Sequence, residues 1–304
     1  MKAYSIFDDF DQDAIVLLED AGVDLMVHPL GRPRPDDDQM KKIIEEYDCI
    51  IIGTSQKMRP EMFENITSPK IIATASVGLD HIQVPDDKKY LITVYNTPKA
   101  NAQSVAEFTI GTALSCVKRL AEGCALYNDG KNNKALSQKP EDLYGKTMGV
   151  IGAGNISRKI MEYASVLGMD VVYWTAHPEK HDIPYEYLPL EKLAENADLI
   201  SVNLPNNAGT QNLISQDLVQ KMKANCIFIS VSRLATINIA ALINKAQKEK
   251  SFYVNVDIDV DGEVVKKIQN KKHVYITPHI GGGTIETRKR MFREVSEQIV
   301  NGLR

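Results

Sequence analysis

Val150-Ile151-Gly152-Ala153-Gly154-Asn155-Ile156-Ser157 is the stretch that decides the fold of this chain. The apolar residues that lead into it predict a β-strand, and the apolar side chains at helical spacing after it predict a helix. Gly152 permits a tight turn between the two, and Gly154 lets backbone amides approach a pyrophosphate at the positive end of the helix. Ser157, at the third small position, still allows the helix to pack closely on the strand. The stretch therefore predicts a phosphate-binding turn.

A second apolar segment strengthens this prediction. Any strand–glycine–helix corner produces a similar pattern, so the turn alone is a weak signal. The segment 170–174, however, follows at the distance that a dinucleotide-binding βαβ unit needs. A dinucleotide-binding site is therefore favoured over a purely structural corner.

Length, composition and charge limit the class of protein. The 304 residues, 43% apolar and 25% charged, fit two soluble globular domains, and a net charge of −4 offers no basic face for nucleic acid. The sequence has no apolar run long enough for a membrane span and no signal peptide before its first strand. The cysteines lack CxxC spacing and are expected to be reduced, which indicates a cytoplasmic protein. They are Cys49, Cys116, Cys124 and Cys226.

Short apolar strands alternate with helical patterns, which predicts an α/β fold with two doubly wound parallel sheets. A long helix is predicted over 102–120. Its middle, 105–117, is apolar nearly all round and must be covered on several sides, by another domain or a second subunit. The polar segment 127–141 predicts a loop. Ligands are expected at the carboxyl ends of the strands.

Three strand ends in the second half carry side chains suited to catalysis. Arg233, Asp257 and His279 each end or follow a predicted strand. The carboxyl ends of parallel strands meet at one edge of a sheet, so these side chains are expected to face one crevice. Such a trio suits the reduction of a 2-oxo acid. The arginine holds the carboxylate and polarises the carbonyl, the histidine supplies the proton, and a carboxylate keeps the histidine charged.

These strand ends and four further stretches resemble, in order, the D-isomer-specific 2-hydroxyacid dehydrogenase family. The stretches are Ala75-Ser76-Val77-Gly78-Leu79-Asp80-His81-Ile82, Asn96-Thr97-Pro98 with the helix start after it, 143–149 leading into the glycine turn, and Leu204-Pro205 with Thr210. The resemblance covers essentially the whole chain. It implies a flavodoxin-like substrate domain over 1–97 plus 281–304, a Rossmann cofactor domain over 98–280, and a homodimer.

The resemblance also implies the site residues. The catalytic set would be Arg233, Glu263 and His279. The substrate carboxylate would be received by the backbone at Ser76, Val77 and Gly78, while Ser55 and Lys57, in the loop after the third strand, are expected to border the substrate tail. The expected cofactor contacts are Val105, Gly152, Gly154, Asn155, Ile156, Trp174, Thr175, Ala176, His177, Leu204, Pro205, Thr210, Val231, Ser232, Asp257 (at the nicotinamide carboxamide) and Gly281.

The sequence departs from the family pattern at two catalytic positions. Arg233 precedes Leu234, where the family usually has glycine. Counted from Asp257, Glu263 falls one residue later than the usual glutamate, so Asp261 remains an alternative partner for His279.

The loop after the second cofactor strand bears on the choice between NAD and NADP. An NAD enzyme usually places an acid there to bind the ribose 2′-hydroxyl, but this chain has Thr175-Ala176-His177. NADP is therefore favoured, with Thr175 bonding the 2′-phosphate and His177 or Lys180 offsetting its charge. NAD remains the alternative.

The same residues leave other functions open. A dinucleotide-sensing binding protein, similar to corepressors related to this family, and a phosphite-type dehydrogenase both remain open. A formate enzyme is disfavoured because its family members carry glutamine in place of the acid at Glu263. The polar and basic loop 53–59 favours substrates with small polar or anionic tails, such as hydroxypyruvate or glyoxylate.

The alternating aspartates after the predicted strand and the remaining histidines are not assigned to a further site. The alternating Asp257, Asp259 and Asp261 lack the remaining ligands of a calcium loop, so no metal is expected. The histidines other than His279 are interpreted as surface or structural groups. They are His28, His81, His177, His181 and His273.

Overall fold

The computed structural model describes residues 1–249, 251–258, 265–266, 271 and 273–303. The chain divides into two compact units, Met1–Asn101 with Thr284–Arg304 and Ala102–Gly283. The domain bounds expected from the sequence fall a few residues away from these.

The first unit alternates strands and helices around a parallel sheet. Its strands are β1 (Lys2–Ser5), β2 (Asp24–Val27), β3 (Cys49–Ile52), β4 (Lys70–Thr74) and β5 (Ile92–Tyr95), and its helices are α1 (Gln12–Asp20), α2 (Asp37–Glu46) and Ile285–Gly302. The strand order β2-β1-β3-β4-β5, with every neighbour parallel, is the flavodoxin-like order. β3 is buried along its whole length, as a strand covered by helices on both faces requires.

The second unit holds a larger parallel sheet. Its strands are β6 (Thr147–Ile151), β7 (Asp170–Trp174), β8 (Glu186–Tyr187), β9 (Leu199–Val202), β10 (Ile227–Ser230), β11 (Tyr253–Asp257) and β12 (Val274–Thr277). Its described helices are α3 (Ala102–Val117), α4 (Leu120–Asn128), α5 (Asn155–Val166), α6 (Leu190–Asn196), α7 (Gln216–Lys221) and α8 (Ile239–Lys248). In the part of the chain that the structure describes, the order is β12-β11-β10-β9-β6-β7-β8.

This order is that of a Rossmann sheet extended by one strand, and the predicted fold class is confirmed. The order reverses between β6 and β9, which pair in parallel. In open α/β sheets a ligand binds outside the carboxyl ends of the strands at such a switch point. The glycine turn follows β6 and therefore lies at that point.

The predicted helix over 102–120 is wrong in its extent. α3 ends at Val117, and Arg119 takes a left-handed conformation with φ of 57° before α4 begins. The Arg119 guanidinium stacks 4.5 Å from the centre of the Tyr253 ring and bonds to Gln138, which holds the break in place. α4 also extends to Asn128, into the segment 127–141 that was predicted to be a loop.

No described helix is suited to cross a membrane, and three of the four cysteines are buried. No helix among the described residues has both the length and the apolar character needed to cross a membrane. Cys49, Cys116 and Cys226 are buried free thiols, whereas Cys124 is exposed. Burial raises the pKa of Cys226 to about 12, which makes its thiolate rare at neutral pH.

Candidate active site

The glycine turn after β6 has the shape that a dinucleotide requires. Gly152 has a φ of 116°, and a Cβ there would lie 2.5 Å from the Asn203 carbonyl oxygen, so only glycine fits. Gly154 is different, because a Cβ there would meet no protein atom within 4 Å. The space beside Gly154 is therefore open to a ligand, as the sequence predicts for a pyrophosphate.

The start of α5 offers donors to the same space. No side chain caps this helix among the described residues, and Asn155 and Ile156 lie in its first turn. The uncapped amides and the helix dipole favour an anion. Ser157 is fully buried behind the turn, and its hydroxyl has no hydrogen-bond partner in the described chain. This cradle fits the pyrophosphate of NAD or NADP.

The loop after β7 lies beside the glycine turn, because the Gly152 N–H donates to the Trp174 carbonyl at 2.8 Å. Thr175 is half-buried, and Ala176 and His177 are exposed. His177 Nδ1 lies 3.4 Å from a carboxylate oxygen of Glu179, an acid close to the position where a 2′-phosphate is predicted.

Sequence reasoning missed one basic residue near this loop. Arg158, in the first turn of α5, donates from Nη1 to the Asp182 carbonyl at 2.8 Å. The sequence could have indicated Arg158, because it comes one residue after Ser157 and places a cation on the helical turn that follows the glycines.

The loop after β9 is held by a hydroxyl from the segment that follows β10. The Ser232 hydroxyl accepts the Leu204 N–H at 2.7 Å and donates to the Val202 carbonyl at 3.0 Å. The Thr210 hydroxyl donates to the Pro205 carbonyl at 2.6 Å. Ser232 and Thr210, both predicted to contact cofactor, thus use their hydroxyls to shape this loop.

The turn that carries His279 is bound to the end of β11. Both oxygens of the Asp257 carboxylate accept hydrogen bonds, from the Thr277 hydroxyl at 2.6 Å, the Ile280 N–H at 2.8 Å and the Gly281 N–H at 2.7 Å. A Cβ on Gly281 would lie 2.8 Å from that carboxylate, so a larger residue there would displace it.

The topology brings the ends of β10, β11 and β12 to one edge. β11 pairs in parallel with both neighbours, so Arg233, Asp257 and His279 follow adjacent strands at the same end of the sheet. At a strand spacing of ~4.8 Å, β10 and β12 lie roughly 10 Å apart. A small substrate can span that distance. Arg233 and His279 are half-buried.

Of the remaining predicted site residues, some lie within the described part of the chain and others do not. Val105 is buried in the first turns of α3, and Val231 is half-buried just after β10. Glu263 and Asp261, the two candidate partners of His279, lie outside the residues that the structure describes, as does Asp259.

In the first unit, the loop after β4 has its carbonyl groups fully engaged. The Ser76 carbonyl accepts the Thr97 N–H at 2.9 Å, the Val77 carbonyl accepts Asn96 Nδ2 at 2.7 Å, and the Gly78 carbonyl accepts the Ser76 hydroxyl at 2.8 Å. No described peptide bond is cis.

The geometry of a trans peptide then fixes the direction of the amides. In a trans peptide the N–H points opposite to the C=O. The N–H groups of Val77, Gly78 and Leu79 therefore point away from the partners of those carbonyls. None of the three donates a hydrogen bond within the described residues. The loop presents successive backbone donors, an arrangement that suits an anion such as a carboxylate.

The loop after β3 supplies polar groups to the first unit. Ser55 and Lys57 are exposed, and the Ser55 hydroxyl accepts a hydrogen bond from Arg34. The Met58 N–H donates to the His81 carbonyl at 2.7 Å, so this loop is bonded to the end of the 75–82 segment. Ser55 and Lys57 therefore lie in a loop that is hydrogen-bonded to the segment 75–82, the candidate binding site for a carboxylate.

Comparisons with known proteins agree on one family. The family model described as "D-isomer specific 2-hydroxyacid dehydrogenase, NAD binding domain" matches residues 110–281. A hydroxypyruvate reductase from Thermotoga maritima is 34% identical over 271 residues, 88% of each chain. A glyoxylate reductase from Thermococcus litoralis is 31% identical over 269 residues, 84% of this chain and 81% of the relative.

A solved structure reports on the fold. An acyclic imino acid reductase in complex with NADPH and D-Arg superposes with a TM-score of 0.88 and covers 100% of this chain and 97% of its own. Its sequence is 23% identical, so the likeness concerns the fold alone.

Proposed function

Because the chain belongs to the D-isomer-specific 2-hydroxyacid dehydrogenase family, we propose that it reduces small 2-oxo acids, hydroxypyruvate and glyoxylate foremost, to D-2-hydroxy acids. It is an NAD(P)-dependent dehydrogenase of that family. The two relatives that act on hydroxypyruvate and glyoxylate support the choice of substrate, since both are more than 30% identical. The polar loop with Ser55 and Lys57 suits a short polar tail better than an apolar one.

The observation that carries this proposal is the orientation of the 76–79 peptides. Their carbonyls are bonded within the protein, and their N–H groups point the other way. A carboxylate bound there accepts hydrogen bonds from the backbone and meets no carbonyl oxygen. A 2-oxo acid has this carboxylate beside its reactive carbonyl, so binding one group places the other.

The reacting groups in this proposal are the nicotinamide, Arg233, His279 and an acid. When bound, the reduced nicotinamide supplies a hydride to the carbonyl carbon. Arg233 holds the carboxylate and polarises the carbonyl, because its guanidinium presents two parallel donors. His279 donates the proton that the carbonyl oxygen gains, which balances the reduction to a hydroxyl. Glu263 is the proposed carboxylate partner of His279, with Asp261 as the alternative.

Asp257 has a positioning role besides its expected contact with the nicotinamide carboxamide. Its Oδ1 accepts two hydrogen bonds and its Oδ2 accepts one. A carboxylate oxygen has two lone-pair sites, so Oδ2 retains one for an amide N–H. Asp257 would therefore hold the His279 turn and the carboxamide together.

NADP is proposed as the preferred cofactor. The positions directly after β7 are Thr175, Ala176 and His177, none of which repels a 2′-phosphate. Arg158 adds a cation on the first turn of α5. Glu179, whose carboxylate lies 3.4 Å from His177, opposes this with its own negative charge, so Thr175 and Arg158 carry most of the expected contact with the phosphate.

A homodimer is proposed through the region of α3. Phe108, Thr112 and Arg119 line a groove of about 200 Å³ against Tyr253 and Tyr275, all within the second unit. Arg119 is 7% exposed, yet its Nε and Nη1 lack hydrogen-bond partners among the described residues. A second copy that covers this groove would satisfy the guanidinium and bury the half-exposed Tyr275. Light scattering is expected to give twice the 33.9 kDa of one chain, and monomer mass alone at micromolar concentration would contradict it.

The experiment that tests the proposed function is a kinetic panel. Glyoxylate, hydroxypyruvate, pyruvate and phenylpyruvate are offered with NADH and with NADPH, and oxidation of the cofactor is followed. Turnover is expected for the first two acids and weakest for phenylpyruvate. Cofactor binding without turnover of any acid would favour the dinucleotide-sensing alternative, and reduction of NADP⁺ or NAD⁺ by phosphite would favour the phosphite-type enzyme. A cytoplasmic location also remains a proposal, supported by the free thiols.

A further inference from the structure

A chain of hydrogen bonds runs beneath the 76–79 loop. His81 Nε2 lies 3.0 Å from the Thr74 hydroxyl, which lies 2.9 Å from the Ser76 hydroxyl, which donates to the Gly78 carbonyl at 2.8 Å. Thr74 is fully buried and Ser76 is 5% exposed. These groups are therefore held away from water, where a hydrogen bond is harder to replace.

Proton counting gives every bond in this chain one direction. The Gly78 carbonyl can only accept, so the single hydroxyl proton of Ser76 is used there. Ser76 must then accept from Thr74, whose own proton is thereby used. Thr74 must accept from His81, so the proton of the neutral imidazole lies on Nε2.

We propose that His81 is a positioning residue for substrate, acting through Thr74 and Ser76 to orient the Gly78–Leu79 peptide. This proposal rests on the proposed function, because it concerns the loop assigned there to the substrate carboxylate. His81 was interpreted from the sequence as a surface or structural group. The structure places its Nε2 within hydrogen-bond distance of Thr74, beneath the candidate site.

Gly78, whose carbonyl accepts the last hydrogen bond of this series, explains why the peptide must be held in place. Glycine restricts its backbone weakly, so the Gly78–Leu79 peptide can rotate unless its carbonyl is held. Rotation would turn the Gly78 carbonyl oxygen toward the bound carboxylate and the Leu79 N–H away from it. An attractive contact would become a repulsive one, which weakens binding of the acid.

The backbone around His81 is anchored separately from its ring. The His81 carbonyl accepts the Met58 N–H at 2.7 Å, and the Ile82 N–H donates to the Leu79 carbonyl at 2.9 Å. Substitution of the imidazole leaves both bonds in place. Variants at this position are therefore expected to fold and to lose the hydrogen bond to Thr74.

The test uses matched pairs of variants of the full chain, with glyoxylate and NADPH. His81→Ala and Thr74→Val each break the chain and are expected to raise KM for glyoxylate by about ten-fold or more, the loss of one hydrogen bond to a charged ligand, with kcat within about three-fold. His81→Gln, whose Nε2 can donate, and Thr74→Ser, which keeps the hydroxyl, are expected to recover most of the affinity. In the double variant the two losses should not add, because both break one chain.

A spectroscopic measurement tests the same chain without turnover. Long-range ¹H–¹⁵N spectra of the wild type, with the His81 signals identified by their absence in His81→Gln, are expected to show neutral His81 protonated on Nε2. A proton on Nδ1 would overturn the proposal, as would an unchanged KM or a loss confined to kcat in His81→Ala. If the wild type reduces no 2-oxo acid, the proposed function fails, and the tautomer alone then supports or overturns the hydrogen-bond chain.

Discussion

The Gly281 N–H donates to the Asp257 carboxylate at 2.7 Å, and this bond closes the turn that carries His279. His279 itself has a φ of 53°, a left-handed conformation that costs a residue with a side chain about 1–3 kcal/mol. The Ile280 N–H donates to the other oxygen of the same carboxylate. Asp257 thus stabilises the conformation that places the candidate proton donor at the edge of the sheet.

Asp257→Asn is expected to reduce kcat/KM for glyoxylate roughly 10- to 100-fold, the value of about 1.5–3 kcal/mol for hydrogen bonds to a charged group. The asparagine amide has one acceptor oxygen, and its N–H₂ would oppose a backbone N–H of the turn. Steady-state kinetics measure the loss. Asp170→Asn, at the exposed start of β7, is the matched control and should behave as the wild type. Equal activity of Asp257→Asn and the control would remove Asp257 from the site.

Arg233→Lys is expected to lose most of its activity while it still folds and binds cofactor. Lysine keeps the charge but has no fork for two parallel hydrogen bonds, so about 2–4 kcal/mol of transition-state binding should be lost. Kinetics with the preferred acid give this number, and thermal unfolding with cofactor titration controls for folding. Near wild-type kcat/KM would exclude Arg233 from the catalytic set.

Thr175→Asp is expected to shift the cofactor preference from NADPH toward NADH. The new carboxylate lies at the end of β7, where it repels a 2′-phosphate and can bind the ribose hydroxyls. The ratio of kcat/KM values for the two cofactors measures the shift. A strong NADH preference in the wild type, unchanged by the substitution, would show that the 2′-position lies elsewhere.

Asp198→Asn tests stability at a distance from the site. Burial alone would raise the pKa of Asp198, but hydrogen bonds from Lys223 at 2.8 Å and from the Thr147 N–H at 2.9 Å lower it overall. A lowered folded-state pKa adds stability above the unfolded value of about 3.9, and this stability is lost as the pH falls through the folded-state pKa. Asp198→Asn should therefore lower the free energy of unfolding at pH 7 and lower it less near pH 3. An equal effect at both values, measured by urea unfolding, would contradict this.

The sequence predicted the elements whose residues repeat with a clear period. β3 is one apolar run in a parallel sheet, and the helix α5 has a regular apolar face. β8 was missed because its two residues are exposed and form no pattern. The break at Arg119 was missed because neither glycine nor proline marks it and the apolar pattern continues across it.

The candidate site could be predicted only as far as local motifs reach. Residues near the glycine turn and His279 were predicted because they stand in recognisable stretches. The bonds from Ile280 and Gly281 to Asp257 span 23 and 24 residues and depend on the pairing of β11 with β12. The role of His81 depends on proton directions that only the folded loop reveals.

The most direct test of the proposed function compares hydroxypyruvate with glycolaldehyde. Glycolaldehyde has the hydroxymethyl group and the carbonyl of hydroxypyruvate but lacks its carboxylate. With NADPH in excess, rapid reduction of hydroxypyruvate to D-glycerate is predicted, identified by chiral chromatography, with glycolaldehyde turned over at a small fraction of that rate. Equal rates on both compounds, or formation of L-glycerate, would contradict the claim that the protein orients a 2-oxo acid by its carboxylate.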